Sequence, residues 1–206
     1  MPEQEATVTA VHAADLDIEG ERMPVFTHLI DHPAGRVLVD TGMTEFHPAH
    51  EGMVTAIFPL SDQGLTPKNI HVVVNTHLHA DHCGGNRQFL GVPIYVQRAE
   101  LDDARAGVEP TILEWVDAPG LEYVELDGEA EILPGIRVLP APGHTRGSQI
   151  VVIDAEEGPV VIAGDTAVWS GQLEEPETEG QRLILSLHPR EVWLAHEDGP
   201  WRPAAS

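Results

Sequence analysis

The sequence has few of the residues needed for a disulfide framework, a nucleic-acid-binding surface or a membrane span. Cys83 is the only cysteine among 206 residues, so no intrachain disulfide can form. There are 34 Asp and Glu against 11 Lys and Arg, a formal charge of -23, which argues against a broad basic patch for nucleic acid. No apolar run is long enough to cross a bilayer, and the first residues are acidic, unlike a secretory signal. We therefore expect a cytoplasmic protein with neither nucleic-acid nor membrane partners.

Aromatic residues are also scarce, at 5% of the chain, so the core must be filled mainly by aliphatic side chains. The hydrophobic content of 42% is enough for such a core and too high for a disordered chain. A chain of 206 residues is typical of one domain, and we predict a single domain over 1–206.

Short apolar segments between Pro and Gly residues predict a strand-rich fold. Helices are predicted at 48–58, 98–106 and 177–187, and another is predicted to start near Gly85. Strands are predicted at 6–14, 23–31, 35–40, 71–75, 93–96, 121–126, 129–133, 136–139, 148–153, 160–163 and 191–195. The strands crowded into 121–163 do not fit the regular alternation of a doubly wound sheet. The pattern favours an α+β fold in which two packed sheets carry helices outside.

The segment 76–82, Thr-His-Leu-His-Ala-Asp-His, begins one residue after the apolar run 72–74. Imidazole and carboxylate groups are preferred ligands of zinc and related divalent metals. His77 and His79 would point to the same side of an extended segment, because side chains alternate along a strand. Asp81 and His82 follow just before the chain bends at 84–85. One short loop can therefore serve two adjacent metals.

Three further metal-ligand residues follow predicted strands elsewhere in the chain. His144 follows the strand 136–139, Asp165 follows 160–163, and His196 follows 191–195. The ends of sheet strands can hold such side chains rigidly, and zinc needs about four ligands. These three residues are therefore predicted to complete the metal site.

With these motifs the chain resembles the metallo-β-lactamase superfamily of hydrolases. The resemblance rests on His-x-His-x-Asp-His at 77–82, on His144, Asp165 and His196 in that order, and on Leu-Val-Asp-Thr-Gly at 38–42. It implies an αββα sandwich of one domain with metals at one edge. It also implies the ligand sets: His77, His79 and His144 for one ion, Asp81, His82 and His196 for the other, and Asp165 for both. Asp40 would steady the ligand loop by hydrogen bonding.

The resemblance implies a hydrolase with two divalent ions, for which Zn²⁺ is the first expectation and Fe, Mn or Co are alternatives. A bridging hydroxide would attack a carbonyl carbon, and Asp81 is the candidate for carrying a proton to the leaving oxygen. The expected partner is a small-molecule substrate. We also consider a homodimer, because Trp193 and Trp201 could lie at an interface.

Within the superfamily, the segments 38–43 and 75–86 are most similar to those of N-acyl homoserine lactonases, which open a lactone ring. Two features depart from that branch: Val168 stands where those enzymes often carry a substrate-binding tyrosine, and the segment between Asp165 and His196 is short. A glyoxalase-II-like thioesterase remains an alternative, with Arg146 as the nearest cation for a glutathione carboxylate. So does a non-catalytic metal-binding protein of the same fold. No substrate-binding residue is assigned, although His47 and His50 could border the site.

Overall fold

A computed structural model describes residues 6–108 and 110–203, and within them twelve strands form two sheets. The seven-stranded sheet has the order β4-β1-β2-β3-β5-β6-β7, and the five-stranded sheet has the order β12-β11-β10-β9-β8. In chain order the strands are β1 (Thr7–Ile18), β2 (Glu21–His32), β3 (Gly35–Val39), β4 (Val54–Ile57), β5 (Val72–Val74), β6 (Pro93–Gln97), β7 (Glu122–Leu126), β8 (Ala130–Leu133), β9 (Ile136–Pro140), β10 (Gln149–Ile153), β11 (Val160–Gly164) and β12 (Glu191–Leu194).

The described residues also form five α-helices, and the two longest pack on the outer faces of the two sheets. The five helices are α1 (Ala80–Cys83), α2 (Arg98–Arg105), α3 (Leu113–Val116), α4 (Gly171–Glu174) and α5 (Glu179–Ser186). Leu101 of α2 packs beside Val96 of the first sheet, and Ile184 of α5 packs against Val161 of the second. In the described ranges, none of these helices has the length and hydrophobicity needed to span a bilayer. The architecture is the αββα sandwich that the sequence predicted.

The main core lies between the two sheets and consists of aliphatic residues. On β3, Val37 and Val39 point into this core, while Leu38 points to the outer face and belongs to the same buried cluster as Phe89. All three are fully buried, which explains why β3 has a continuous apolar run instead of an alternating one. Burying each such side chain contributes about 1.5–3 kcal/mol relative to its exposure to water.

The hairpin between β1 and β2 extends the first predicted strand from residue 14 to Ile18. Its turn is Glu19-Gly20, and both residues have positive φ, 56° and 90°. Two central residues with positive φ match the twist of the flanking strands, and glycine takes this conformation at low cost. The end of this long hairpin lies beside the predicted ligands Asp81 and His196.

The predicted helix over 48–58 is wrong. A 3-10 turn spans Pro48–His50, and β4 then pairs antiparallel with β1. Gly52, at φ 82°, ends the turn, and Val54 is buried in the sheet while Thr55 is exposed. Pairing at the sheet edge therefore overrode the local helical pattern.

The helix predicted to start near Gly85 is also reduced, to a 3-10 turn over Asn86–Gln88. A Cβ atom at residue 85 would lie 2.3 Å from the carbonyl oxygen of Thr41. Gly85 is therefore needed for the close approach of two backbones, and this approach fixes the chain direction after the histidine cluster.

The parallel pairings place several strand ends at one edge of the sandwich. β3 pairs parallel with β5, and β11 pairs parallel with β12. β9 and β11 are each antiparallel to β10, so they also run in the same direction. The two sheets are joined near this edge by hydrogen bonds from the Gln149 amide to the Thr76 carbonyl oxygen (2.8 Å) and from the Phe26 amide to the Ala195 carbonyl oxygen (2.7 Å). The residues after these strands therefore meet in space.

Candidate metal centre

The structure brings together all seven side chains that the sequence predicted as metal ligands. They fall into three overlapping groups, and within each group one potential ligand atom per residue lies within 4.8 Å of the others. The groups are His77 with His79 and His144; His77 with His82 and Asp165; and Asp81 with His82 and His196.

The Asp165 carboxylate lies between the two outer groups. Its Oδ1 atom is 3.2 Å from Nε2 of His82 and 3.2 Å from Nε2 of His196. Its Oδ2 atom is 3.5 Å from Nε2 of His144 and 4.0 Å from Nε2 of His77. A carboxylate in this position can offer one oxygen to each of two cations.

Hydrogen bonds at the outer ring nitrogens orient the imidazoles. His82 Nδ1 lies 2.8 Å from Oδ2 of Asp40, and His196 Nδ1 lies 2.8 Å from the carbonyl oxygen of Pro24. Since both partners are acceptors, each Nδ1 donates a proton to its partner, and each Nε2 faces the Asp165 carboxylate at the centre.

Asp40 organises a second imidazole through Thr76. The Thr76 amide and hydroxyl both donate to the Asp40 carboxylate, each at 2.7 Å. With its proton so committed, the Thr76 oxygen accepts from Nδ1 of His77, 3.1 Å away. Asp40 is buried, at φ 60°, a left-handed conformation that aspartate tolerates better than most residues. These contacts are those expected of a residue that steadies the ligand loop.

Several buried polar atoms at the centre lack a hydrogen-bond partner among the described residues: His77 Nε2, His82 Nε2 and Asp165 Oδ1. Nε2 of His144 also lies 3.0 Å from Nδ1 of His79, which places two imidazole nitrogens face to face. Leaving such atoms unsatisfied costs about 1–3 kcal/mol each. Divalent cations would satisfy them, so the residues fit the metal centre that the resemblance implies.

The electrostatics prepare the side chains for this role. Burial lowers the pKa of His77, and burial together with the neighbouring His144 lowers the pKa of His79 to about 4. Burial also lowers the pKa of His144. Although burial alone would raise it, the pKa of Asp165 is held well below its usual range by His82 and His196. At neutral pH the centre therefore offers an ionised carboxylate and, in the first group, neutral imidazoles.

Glu100 is a buried carboxylate at this centre that sequence reasoning missed. Its Oε1 atom accepts from the amide of Leu78 at 2.8 Å, and its Oε2 atom accepts from the Thr145 hydroxyl at 2.6 Å. It thus links the loop of His77 and His79 to the loop of His144. The sequence pattern of α2 could have indicated this residue, because Glu100 lies on the buried face of the helix with Leu101 and Ala104.

We expect Glu100→Ala to weaken metal binding about tenfold, because losing both bonds frees the two loops and leaves the Leu78 amide unpaired. Glu100→Gln keeps one acceptor for Leu78 and should lose less. Competition with a chromophoric chelator measures both affinities. Asp103→Asn is the matched control, since Asp103 lies on the same helix in an exposed pair with Arg146. Unchanged affinity in Glu100→Ala would contradict the assigned role.

An apolar cavity of about 250 Å³ opens onto the centre. Asp81 and His196 form part of its wall. The β1–β2 hairpin and the stretch 43–54 contribute six apolar side chains: Leu16, Ile18, Met23, Met43, Met53 and Val54. His50 lies in this wall, as the sequence suggested for a residue bordering the site. His47 is bonded instead to Glu114, Nε2 to Oε1, at 3.0 Å. The cavity was not foreseen, because it depends on the extended hairpin.

Two packed sheets with a His/Asp centre at their common edge define an αββα metalloprotein. The family model described as "Metallo-beta-lactamase superfamily" matches residues 20–194, and the chain belongs to this superfamily.

Two related proteins align with most of this chain. An N-acyl homoserine lactonase of Bacillus sp. is 34% identical over 163 residues, covering 70% of this chain and 64% of that enzyme. The match thus spans less than two thirds of that relative's length. An N-acyl homoserine lactonase of Bacillus cereus is 31% identical over 172 residues, which is 75% of this chain and 68% of that protein.

Solved structures share the fold. A mutant of B. thuringiensis AiiA with N-decanoyl-L-homoserine bound at the active site superposes with a TM-score of 0.75, at 24% identity, covering 95% of this chain and 94% of that one. An N-acyl homoserine lactone hydrolase with the product N-hexanoyl-L-homoserine bound at its catalytic metal center gives the same score and coverage at 23% identity.

Proposed function

We propose that this protein is a metal-dependent lactonase that opens the ring of N-acyl homoserine lactones, the activity that gives quorum quenching. The observation that carries the proposal is the placement of a two-sided His/Asp centre at the end of an apolar cavity. The names of the Bacillus relatives support the choice of substrate class. We take the chain, 1–206, to act as one catalytic domain.

The proposed centre holds two divalent ions, with zinc as the first expectation and iron, manganese or cobalt as alternatives. His77, His79 and His144 would hold one ion, and Asp81, His82 and His196 would hold the other. Asp165 would serve both, since its two oxygens face the two groups. When bound, such ions supply a water that is acidic at neutral pH and a Lewis acid for a carbonyl oxygen.

The chain's own residues place and move the remaining groups. Hydrolysis adds a hydroxyl group to the acyl carbon and a proton to the ring oxygen, giving one hydroxy acid. Asp81 lines the apolar cavity, and its Oδ2 atom lies 3.5 Å from Nε2 of His82. With one of its oxygens on the ion, the other would accept the proton of the attacking water and return it to the ring oxygen as the ring opens.

The apolar cavity suits the acyl chain. Burying each methylene of the chain contributes about 0.8 kcal/mol. The methionines in the cavity wall are flexible and polarizable, so they can adapt to acyl chains of different length. The cavity also excludes water beside the reacting carbonyl, which strengthens electrostatic interactions there.

The geometry does not favour the thioesterase alternative. Arg146 donates from Nε and Nη2 to both carboxylate oxygens of Asp103, at 2.8 and 2.6 Å, and is thus occupied by a bidentate pair. A glutathione carboxylate would have to displace Asp103 from this pair.

Elemental analysis of the purified protein, followed by a panel of lactones, thioesters and phosphodiesters, tests the proposal. We expect two metal ions per chain and hydrolysis of N-acyl homoserine lactones, with kcat/KM rising from a butanoyl to a decanoyl chain. A glutathione thioester should be a poor substrate. Full metal occupancy without hydrolysis of any ester, lactone or thioester would favour the non-catalytic alternative.

A homodimer and a cytoplasmic location remain predictions. The two tryptophans that suggested an interface are used within the fold. Trp193 packs against the core between the sheets, and Trp201 pairs with Val192 through two backbone hydrogen bonds of 2.8 Å.

A further inference from the structure

A separate, mostly polar cavity of about 240 Å³ also borders His144 and Asp165. Its wall includes Gln172 of α4 together with Thr178 and Gln181 at the start of α5. None of these three residues belongs to the proposed metal ligand set. The cavity therefore provides polar groups beside the centre that have no role in the hydrolysis proposed above.

The amide oxygen of Gln181 is already occupied. It accepts from the backbone amides of Glu177 at 2.8 Å and Thr178 at 3.1 Å, while the Thr178 hydroxyl oxygen accepts from the Gln181 amide in a capping box. Only 4% of the residue is exposed. The side-chain nitrogen makes no hydrogen bond to any residue that the structure describes, so it is the atom left to meet a ligand in the cavity.

Gln172 repeats this arrangement. Its Oε1 atom accepts from the backbone amide of Val168 at 2.7 Å, which identifies that atom as the oxygen and leaves the NH₂ group at the other end. Within 6–108 and 110–203, this NH₂ group also has no hydrogen-bond partner. The cavity thus has two amide donors whose acceptor ends are both fixed by backbone.

The start of α5 is held firmly against the loops that carry His144 and Asp165. The Gly180 amide donates to the Pro142 carbonyl oxygen at 3.0 Å, and a Cβ atom at residue 180 would lie 2.6 Å from the carbonyl oxygen of Ala141. A Cβ atom at residue 143 would lie 2.6 Å from Cβ of Thr178. Both glycines permit this close contact, so Gln181 has a fixed position relative to the centre.

We propose that Gln172 and Gln181 form a carbonyl-binding subsite, which takes the amide carbonyl oxygen of an N-acyl lactone. This inference rests on the proposed lactonase function. Two NH₂ donors match an acceptor oxygen, and the flanking segment is acidic, with glutamates at 174, 175, 177 and 179, which favours a neutral carbonyl over a carboxylate. Val168 cannot donate from its side chain, and Gln172, bonded to its backbone, provides a donor beside that position.

Gln181→Glu tests the subsite, because it keeps an acceptor for the two backbone amides and replaces the NH₂ donor with a carboxylate oxygen. We expect kcat/KM for N-decanoyl homoserine lactone to fall about tenfold through a higher KM, with kcat little changed. A γ-lactone with an alkyl chain and no amide should retain kcat/KM within about twofold of the unmodified protein. Gln172→Leu, which adds no charge, should give the same selective loss.

Gln63→Glu is the matched control, since it makes the same change at an exposed glutamine bonded to His12 and Phe58. Metal content, measured on every variant, should stay at the unmodified value. Equal losses on both lactones, or no loss on the N-acyl lactone, would overturn the subsite while leaving the lactonase proposal intact. Inactivity of the unmodified, metal-loaded protein towards both lactones would overturn the lactonase proposal and the subsite with it.

Discussion

His144→Ala should reduce lactone hydrolysis by roughly 10³-fold or more, because it removes one of three imidazoles proposed to hold the first ion. Nε2 of His144 lies 3.0 Å from Nδ1 of His79 and 3.5 Å from Oδ2 of Asp165. Removing the ring leaves two histidines and the shared Asp165 carboxylate to hold that ion, so the proposed set loses one of its imidazole ligands.

The same substitution should change metal content as well as rate. We expect elemental analysis after dialysis to show about one ion per chain instead of two. The fold should persist, because the His144 side chain is 26% exposed and lies outside the aliphatic core. Circular dichroism and thermal unfolding check this point.

His71→Ala is the matched control for His144→Ala. His71 is an exposed histidine whose Nδ1 accepts from the Arg36 amide at 3.1 Å, remote from the proposed ligands in the sheet. It should retain full hydrolysis and metal. A His144→Ala protein that hydrolyses lactones at the unmodified rate would refute the ligand assignment.

Much of the fold could be predicted from the sequence, because most strands are marked by short apolar runs between Gly and Pro. The run 37–39 is one example, and its carboxyl end places Asp40 at the edge of the sheet. The helix prediction for 48–58 was wrong because it rested on a local pattern, whereas β4 forms only by pairing with β1. The sequence alone gives no measure of that long-range pairing.

The proposed ligands could be predicted for a similar reason. Residues that follow parallel strands share an edge, so a histidine or aspartate after each strand, such as Asp165 after β11, indicates convergence. Glu100 and Gln181 could not be found in this way. Glu100 accepts from the amide of Leu78, which is distant in the sequence, and Gln181 accepts from amides in the turn before its own helix. Their neighbours became known only once the helices were docked on the sheets.

Asp165→Asn should weaken the binding of two metal ions side by side while leaving the shape of the centre unchanged. Asparagine has nearly the same size but no charge, and two dications share the Asp165 carboxylate in the proposed centre. Without that negative charge their mutual repulsion is less well compensated. We expect the second ion to bind at least about tenfold more weakly, so that titration shows one tight site and one weak site.

The loss of activity should follow the loss of the second ion. At micromolar metal, Asp165→Asn should be roughly 10²-fold less active or worse, and added metal should restore part of the rate. Asp154→Asn is the control, because Asp154 is an exposed carboxylate paired with Arg137 at 3.3 Å. Two tight ions per chain in Asp165→Asn would contradict the bridging role. Loss of a shared carboxylate should also weaken the tighter site relative to the unmodified protein, whereas loss of a ligand to one ion would weaken that site alone.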